Sequence, residues 1–271
     1  MMRALYTAAS GMRAQQTNVD NISNNIANVN TTAFKSQKTE FKSLLYQTIQ
    51  TRTTSANGEE KPIGAQVGLG TRVASNTTSY TQGALLEDES KSAFAIEGNG
   101  FFQVRGADGT TYYTRNGNFN WSIGPTGTTL TNTDGYPVLD SNGNTIVLPN
   151  NVNSEKEVVT TDGQVGYYNN AGAYVSMNRT IGLSQFSNPA GLEKAGSNLL
   201  RATNASGAAL NEATNANLTR SKIHQSYLEG SNVQVADEMV NLIVAQRAYQ
   251  LNSKAITTSD DMLEQANNLK R

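Results

Sequence analysis

Hydrophobic positions recur every seven residues at both ends of the chain. Near the start, Leu5, Met12, Val19 and Ile26 fall seven apart, and Ala8, Gln15, Ile22 and Val29 form a companion row three residues later. Gln15 is its one polar break. This seam predicts a helix over about residues 2–29 that turns one side to a partner helix. Toward the end, Val235, Leu242, Tyr249, Ile256 and Leu263 repeat in the same way. Neither Gly nor Pro occurs between Val233 and Lys270, so the second helix has a potential length of roughly 57 Å at 1.5 Å per residue. Ser231 and Gln234 have capping-box spacing. Asp237 and Glu238 near the start, and Lys270 and Arg271 at the end, suit the helix dipole. A second stripe, from Val244, Ala248 and Leu251 through Ala255 and Met262 to Ala266 and Leu269, widens the apolar face beyond what one helix covers. That predicts more than one partner.

Polar positions sharpen the first helix. Between Ala4 and Phe34 the only charges are Arg13 and Asp20, where a solvated helix would carry Lys and Glu. Asn21, Asn24, Asn25 and Asn28 instead line up at i, i+3, i+4, i+7 beside the apolar seam. Six Asn within residues 18–30 give up about 3 kcal/mol of helix propensity, so the segment should be helical only when packed. Amides that donate and accept suit a crowded polar contact with other chains.

Residues 34–46 read as helix-compatible or extended, and residues 47–70 lose all pattern. A loop of that length is either disordered or functional. The middle of the chain is β. Asp108-Gly109, Asn116-Gly117, Asp134-Gly135, Asn142-Gly143 and Asp162-Gly163 predict type I′ hairpin turns between short β-branched and aromatic runs. These define an antiparallel β-rich domain over 89–187, followed by a mixed return segment to about residue 228. The fold class is therefore α+β: long N- and C-terminal helices pair as an antiparallel coiled coil, with a central antiparallel β-rich domain. The expected domains are 1–34 with 231–271 (helical core), 35–88 with 188–230 (connecting region, including 47–70) and 89–187 (β-rich outer domain).

Composition removes much chemistry. The 271 residues carry 21 Lys+Arg and 22 Asp+Glu, a net charge of −1, which lacks the basic stripe of a nucleic-acid binder. Charged residues are 16%, below the usual quarter, and Asn, Thr and Ser fill the gap with 84 residues. No Cys is present, which excludes disulfides, thiolate metal sites and a Cys nucleophile; a single His, His224, excludes a multi-His metal site. Glu59-Glu60, Glu87-Asp88-Glu89 and Asp260-Asp261 read as solvated loop or surface charge. Gly98-Asn99-Gly100 and Gly68-Leu69-Gly70 fit neither a dinucleotide fingerprint nor a P-loop and read as turns. No serine sits in a nucleophile-elbow motif, and His224 reads as a surface or interface residue. No segment has the length of a membrane span, and no cleavable signal is visible. The expectation is a protein with no catalytic centre, no metal, no cofactor, no nucleic acid and no small-molecule substrate.

Two terminal motifs carry a resemblance. The first is Ala8-Ala9-Ser10-Gly11-Met12-Arg13-Ala14-Gln15-Gln16 followed by Asn21-Ile22-Ser23-Asn24-Asn25-Ile26-Ala27-Asn28-Val29-Asn30-Thr31-Thr32-Ala33-Phe34-Lys35. The second is the run from Glu238 through Gln246-Arg247-Ala248-Tyr249 to Ile256. Together they strongly resemble the paired signatures of bacterial flagellar rod and hook proteins. Gly100-Phe101-Phe102-Gln103-Val104, Tyr113-Thr114-Arg115-Asn116-Gly117-Asn118-Phe119 and Gly135-Tyr136-Pro137-Val138-Leu139 extend the resemblance across nearly the whole chain. Ala33 is a departure, since the family usually has Gly there, at the turn where positive φ is in question. Within the family, length, Gln246-Arg247-Ala248-Tyr249 and the 47–70 segment resemble the distal rod members.

The resemblance implies a structural subunit that polymerises helically into a rigid shaft and passes torque through packed interfaces. It implies as partners further copies of itself, proximal rod and hook proteins, the surrounding P- and L-ring bushing where present, and the flagellar export apparatus. It implies a place in the basal body across the periplasm, reached by type III export without a cleaved signal. The expected assembly interface is Leu5, Met12, Val19, Asn21, Ile22, Asn25, Ile26, Asn28 and Val29 on the first helix, and Val235, Met239, Leu242, Tyr249, Ile256 and Leu263 on the last. The alternatives are a proximal rod or hook subunit within the family and, outside it, a secreted β-rich binding module or a hydrolase without a local signature.

Overall fold

The computed structural model describes residues 2–50, 64–124, 127–149, 157–169, 173–215 and 217–269. Glu59-Glu60, the larger part of the 47–70 segment and the terminal Lys270-Arg271 lie outside the described residues. The chain forms two compact units. Unit 1 holds residues 1–27, 37–78 and 234–271, and unit 2 holds residues 28–36 and 79–233.

Unit 1 contains helices α1 (Met2–Ala27) and α2 (Val235–Asn268) and an antiparallel ribbon. In the ribbon β1 (Gln37–Ser43) pairs with β4 (Thr71–Thr78), and β2 (Tyr46–Gln50) pairs with β3 (Ala65–Gly68). Residues 37–43 are thus strand, not helix. Glu40 shows why: its carboxylate accepts the Ser75 hydroxyl at 3.1 Å and the Thr77 hydroxyl at 2.8 Å, both from β4. Cross-strand bonds of this kind outweigh a weak local helix preference.

The helix ends differ from expectation in two respects. α2 begins at Val235, and its cap, Gln234, is extended at φ −97° and makes no side-chain capping bond. The Ser231–Gln234 capping box does not form, because the Ser231 hydroxyl instead accepts the Val233 N–H at 3.3 Å. Asp237 and Glu238 remain in the first turn, where the helix dipole favours them. α1 stops at Ala27, and the Asn28 side-chain oxygen accepts the Thr31 hydroxyl at 3.0 Å, a local bond that competes with helix continuation.

Unit 2 is antiparallel β throughout its ladders. A six-stranded sheet runs in the order β16 (Glu193–Gly196), β17 (Leu199–Arg201), β8 (Thr111–Thr114), β7 (Phe101–Arg105), β15 (Leu183–Gln185), β18 (Leu210–Asn211). Two three-stranded sheets are β11 (Val147–Leu148), β10 (Gly127–Asn132), β9 (Phe119–Gly124) and β12 (Glu157–Val159), β13 (Gln164–Tyr168), β14 (Tyr174–Thr180). Two ribbons pair β19 (Lys222–Gln225) with β6 (Phe94–Glu97), and β20 (Tyr227–Glu229) with β5 (Leu85–Glu87). Strand pairing therefore extends beyond 89–187 on both sides.

The strand alternation sorts side chains into two cores. Phe102 and Val104 enter a cluster with Phe94, Phe119, Leu130 and Ile223, while neighbouring Phe101 packs with Tyr113, Phe186 and Leu200. Successive strand residues point to opposite faces, so one short strand feeds both. Each fully buried Phe contributes about 1.5–3 kcal/mol of apolar transfer.

The turns are a correction. At Gly109, Gly135, Gly143 and Gly163 only the glycine has positive φ, between 77° and 83°, whereas a type I′ turn needs it at both central residues. Each glycine N–H instead bonds the carbonyl three residues back, as Gly143 does to Asp140 at 3.0 Å. The loop is then closed one residue later, as by Asp140 N–H to Asn144 C=O at 2.7 Å. These are three-residue hairpin loops, a type I turn with a glycine bulge. Asn116-Gly117 makes no such turn; Gly117 accepts the Phe94 N–H at 3.0 Å and has no room for a β-carbon against the Phe94 carbonyl.

Candidate functional site

The helices of unit 1 carry most of the residues expected to act. α1 and α2 run in opposite directions, since Gly11 meets Asn252 while Asn25 meets Glu238. The buried residues on α1 are Ala8, Gly11, Ala14, Ile22 and Asn25, and those on α2 are Ala245 and Ser259. Apart from Ile22, the buried side chains of the pair are small or polar. Leu5, Met12, Val19 and Ile26 flank this line half-buried, as do Leu242, Ile256 and Leu263 on α2. Of the expected interface residues, Val235, Met239 and Tyr249 are exposed, and Asn28 and Val29 are half-buried in unit 2. Gly11, Ala14, Ala245, Asn252 and Ser259 escape a hydrophobicity search because none is strongly apolar. Their only signal is heptad spacing from their neighbours.

Asn25 joins three elements of unit 1. Its side-chain NH2 donates to the Gln37 carbonyl at 2.9 Å and to Glu238 Oε1 at 3.1 Å, and its oxygen accepts the Gln37 N–H at 3.0 Å. Asn21 donates to the Thr39 hydroxyl at 2.6 Å. The amide stripe thus binds α1 to β1 and α2 of the same chain.

The side of α2 away from Leu242 carries an uncovered apolar row. Val240, Val244 and Leu251 are 59%, 62% and 69% exposed. At 100° per residue they lie roughly 160–180° around the helix from Leu242, with Arg247 and Lys254 at the border of the row. Among the described residues, 17 of the 21 exposed large hydrophobics belong to unit 1, including Leu45, Tyr46 and Ile49 on the ribbon. A groove of about 380 Å³ lined by Gln16, Val19, Gln246, Tyr249 and Gln250 opens between the helices.

Unit 2 holds a buried ion cluster. Glu229 receives Lys35 Nζ at 2.6 Å, the Arg115 guanidinium at 3.5 Å and the Gly83 N–H at 3.0 Å. Lys35 also donates to the Thr81 carbonyl at 2.8 Å, and Arg115 stacks 5.2 Å above the Phe101 ring and reaches the Gly98 carbonyl. Burial pulls both cations below their ordinary pKa, and the Glu229 carboxylate pulls them back up. Three residues distant in sequence, 35, 115 and 229, thereby fix the stretch after α1 and the stretch before α2 to the β scaffold of unit 2. His224 lies at the surface, 2.8 Å from Glu97. Among the described residues no cluster of three metal-ligating side chains occurs, and no helix is long and apolar enough to cross a membrane.

Comparison with known proteins matches three stretches to flagellar families. Residues 5–35 match the flagella basal body rod protein family, residues 95–167 the D1 domain of flagellar hook proteins FlgE/F/G, and residues 224–269 the C-terminal region of the FlgEFG basal body rod proteins. The chain is 43% identical to the flagellar basal-body rod protein FlgG of Borreliella burgdorferi, over 100% of both chains. It is 42% identical to FlgG of Agrobacterium fabrum, over 96% of this chain and 97% of that one. It is 39% identical to FlgG of Bacillus subtilis over the whole of both.

Proposed function

The chain belongs to the flagellar basal-body rod proteins, and on that premise we propose how its surfaces work. It is a structural subunit of the flagellar distal rod. Its terminal helices act as an antiparallel coiled coil, and residues 1–34 with 231–271 form the inner tube of a helical polymer. Residues 35–88 with 188–230 connect this core to an outer domain over 89–187, and the segment 47–70 packs between subunits to stiffen the shaft. Torque passes through these contacts without chemistry. Proximal rod proteins, the hook protein and the bushing rings are the neighbours, and the subunit reaches the periplasm-crossing shaft through the flagellar export apparatus without a cleaved signal.

One observation carries the assembly reading: the apolar row Val240, Val244 and Leu251 faces away from the helix pair in the lone chain. A second copy that covers it removes this surface from water, at about 25 cal/mol per Å². The test is sedimentation of the full-length chain with Val244→Asp or Leu251→Asp. Both variants should keep their helical circular dichroism and fail to pellet as polymer, and cells carrying either should lose motility. Polymerisation equal to that of the unaltered chain would overturn the reading.

A further inference from the structure

Among the described residues, three buried polar atoms without hydrogen-bond partners belong to one pair of side chains in unit 2. Glu157, at the start of β12, is 1% exposed, and neither of its carboxylate oxygens has a hydrogen-bond partner among the described residues. The indole Nε1 of Trp121 on β9 is also buried and unpaired. It stands close enough to bear on the carboxylate, but outside hydrogen-bonding geometry.

The surrounding groups do not neutralise Glu157. Lys91 is the one charge that favours its ionised form, and that effect is small beside the burial. Tyr167 stands opposite Glu157 across the ladder to β13. On β19, which packs against β12, Lys222 and His224 bear on Glu97 instead. Gln225 donates to the Lys91 and Glu157 main-chain carbonyls and accepts the Val159 N–H, so its amide serves backbone.

A neutral carboxyl tolerates such a site, whereas a carboxylate buried without protein donors pays a large desolvation cost. The strand that carries it, β12, is three residues long and lies at the edge of its sheet. We propose that Glu157 and Trp121 form a proton-operated latch between the sheets of β9 and β12, closed while the carboxyl is neutral and released when it ionises. Burial pushes the Glu157 carboxyl up to about 7, against smaller opposite pulls from the Trp121 N–H and Lys91. The folded state therefore holds a proton that the unfolded state has lost between pH 4.5 and about 7. Stability from this group is intact below 4.5 and falls as pH rises through 7.

Trp121 is the only tryptophan, so its emission reports the latch directly. In the full-length chain a titration from pH 5 to 9 should show one transition centred near 7. Glu157→Gln should abolish it and keep the low-pH spectrum throughout. His224→Asn, which removes the only histidine, should leave it unchanged, and Lys91→Met should move the midpoint upward. A transition that survives Glu157→Gln, or vanishes with His224→Asn, overturns the proposal. Should Glu157→Gln fail to fold, the absence of a transition near 7 in the unaltered and His224→Asn chains overturns it equally.

Discussion

Gly11 on α1 faces the amide of Asn252 on α2 with no space for a methyl group. A β-carbon at Gly11 would lie 2.9 Å from Asn252 Nδ2 and 3.1 Å from its Cγ. Glycine inside a helix costs about 1 kcal/mol relative to alanine, so its presence here reflects the approach of the second helix. Gly11→Ala in the unaltered chain should be near neutral, because the propensity gain is offset by displacing the amide. In an Asn252→Ala background the same change should stabilise by about 1 kcal/mol. A double-mutant cycle followed by urea unfolding of the helical signal reads the coupling directly. Additive effects would show that the two residues do not meet.

Asn25 is 1% exposed and makes three hydrogen bonds. Asn25→Ala leaves the Gln37 backbone groups without their partner, at about 1–3 kcal/mol for each unsatisfied buried group. Asn25→Asp should cost more at neutral pH. It replaces the donor with a carboxylate facing the Gln37 carbonyl and Glu238, so two acceptors and a like charge confront one another. The expected order in thermal unfolding of the helices is Asn above Ala above Asp.

The rows of seven made the helix pair legible, and the pair forms along Ala8, Gln15 and Ile22 with the Leu5 row at its flank. Gly11, Ala14 and Ser259 were not legible, since close packing of helices needs small side chains that carry no hydropathy signal. The ribbon of β1 and β4 was hidden for a different reason. Lys38, Glu40, Lys42, Arg72 and Ser75 leave it exposed and polar, so no apolar alternation marks it. The dipeptides Asp-Gly and Asn-Gly located four turns correctly but could not choose between two-residue and three-residue loops. That choice rests on hydrogen bonds to residues outside the dipeptide. Lys35, Arg115 and Glu229 were invisible as a cluster, because nothing local links positions 194 residues apart.

In the Glu229 cluster two buried cations pair with one buried carboxylate, and Glu212 bears on Arg115 without pairing with it. Glu229→Gln removes the carboxylate that both cations pair with and leaves Lys35 without its ion-pair partner and Arg115 with only the more distant pull of Glu212, which should cost about 3–5 kcal/mol of unit 2 stability. Lys35→Met removes one cation and keeps the Arg115–Glu229 pair and the Gly83 bond. It should cost clearly less. Equilibrium unfolding in urea ranks the two, and a larger loss for Lys35→Met would show that the carboxylate is not the centre of the cluster.

Ala33 has φ 57° and is buried, so the reversal after α1 does use the left-handed conformation. An alanine there carries strain of about 1–2 kcal/mol that glycine would relieve. Ala33→Gly also removes a buried methyl worth about 0.8 kcal/mol and loosens the unfolded chain by about 0.4–1 kcal/mol. The sum is near zero. Ala95→Gly in β6 has the same losses with no strain to relieve, and should destabilise by roughly 1–2 kcal/mol. Equal losses at the two sites would show that Ala33 is unstrained.

Leu242 and Leu251 lie on opposite sides of α2, and that opposition separates folding from assembly. Leu242 is half-buried on the side that carries Ala245 and Asn252, so Leu242→Asp buries a charge between α1 and α2. The helical signal of the lone chain should fall, and assembly should fail with it. Ile26→Asp on α1 should behave alike. Leu251 is 69% exposed, and Leu251→Asp should leave the lone chain's melting temperature within about 0.5 kcal/mol equivalent of the original, as surface changes do. Its polymer should nevertheless be lost, because the charge then sits where a neighbouring copy must close. The β scaffold of unit 2 should keep its near-ultraviolet spectrum in all three. If Leu251→Asp and Leu242→Asp lowered the lone chain's stability alike, the outer face of α2 would already be covered within one subunit and would not be free for a second copy.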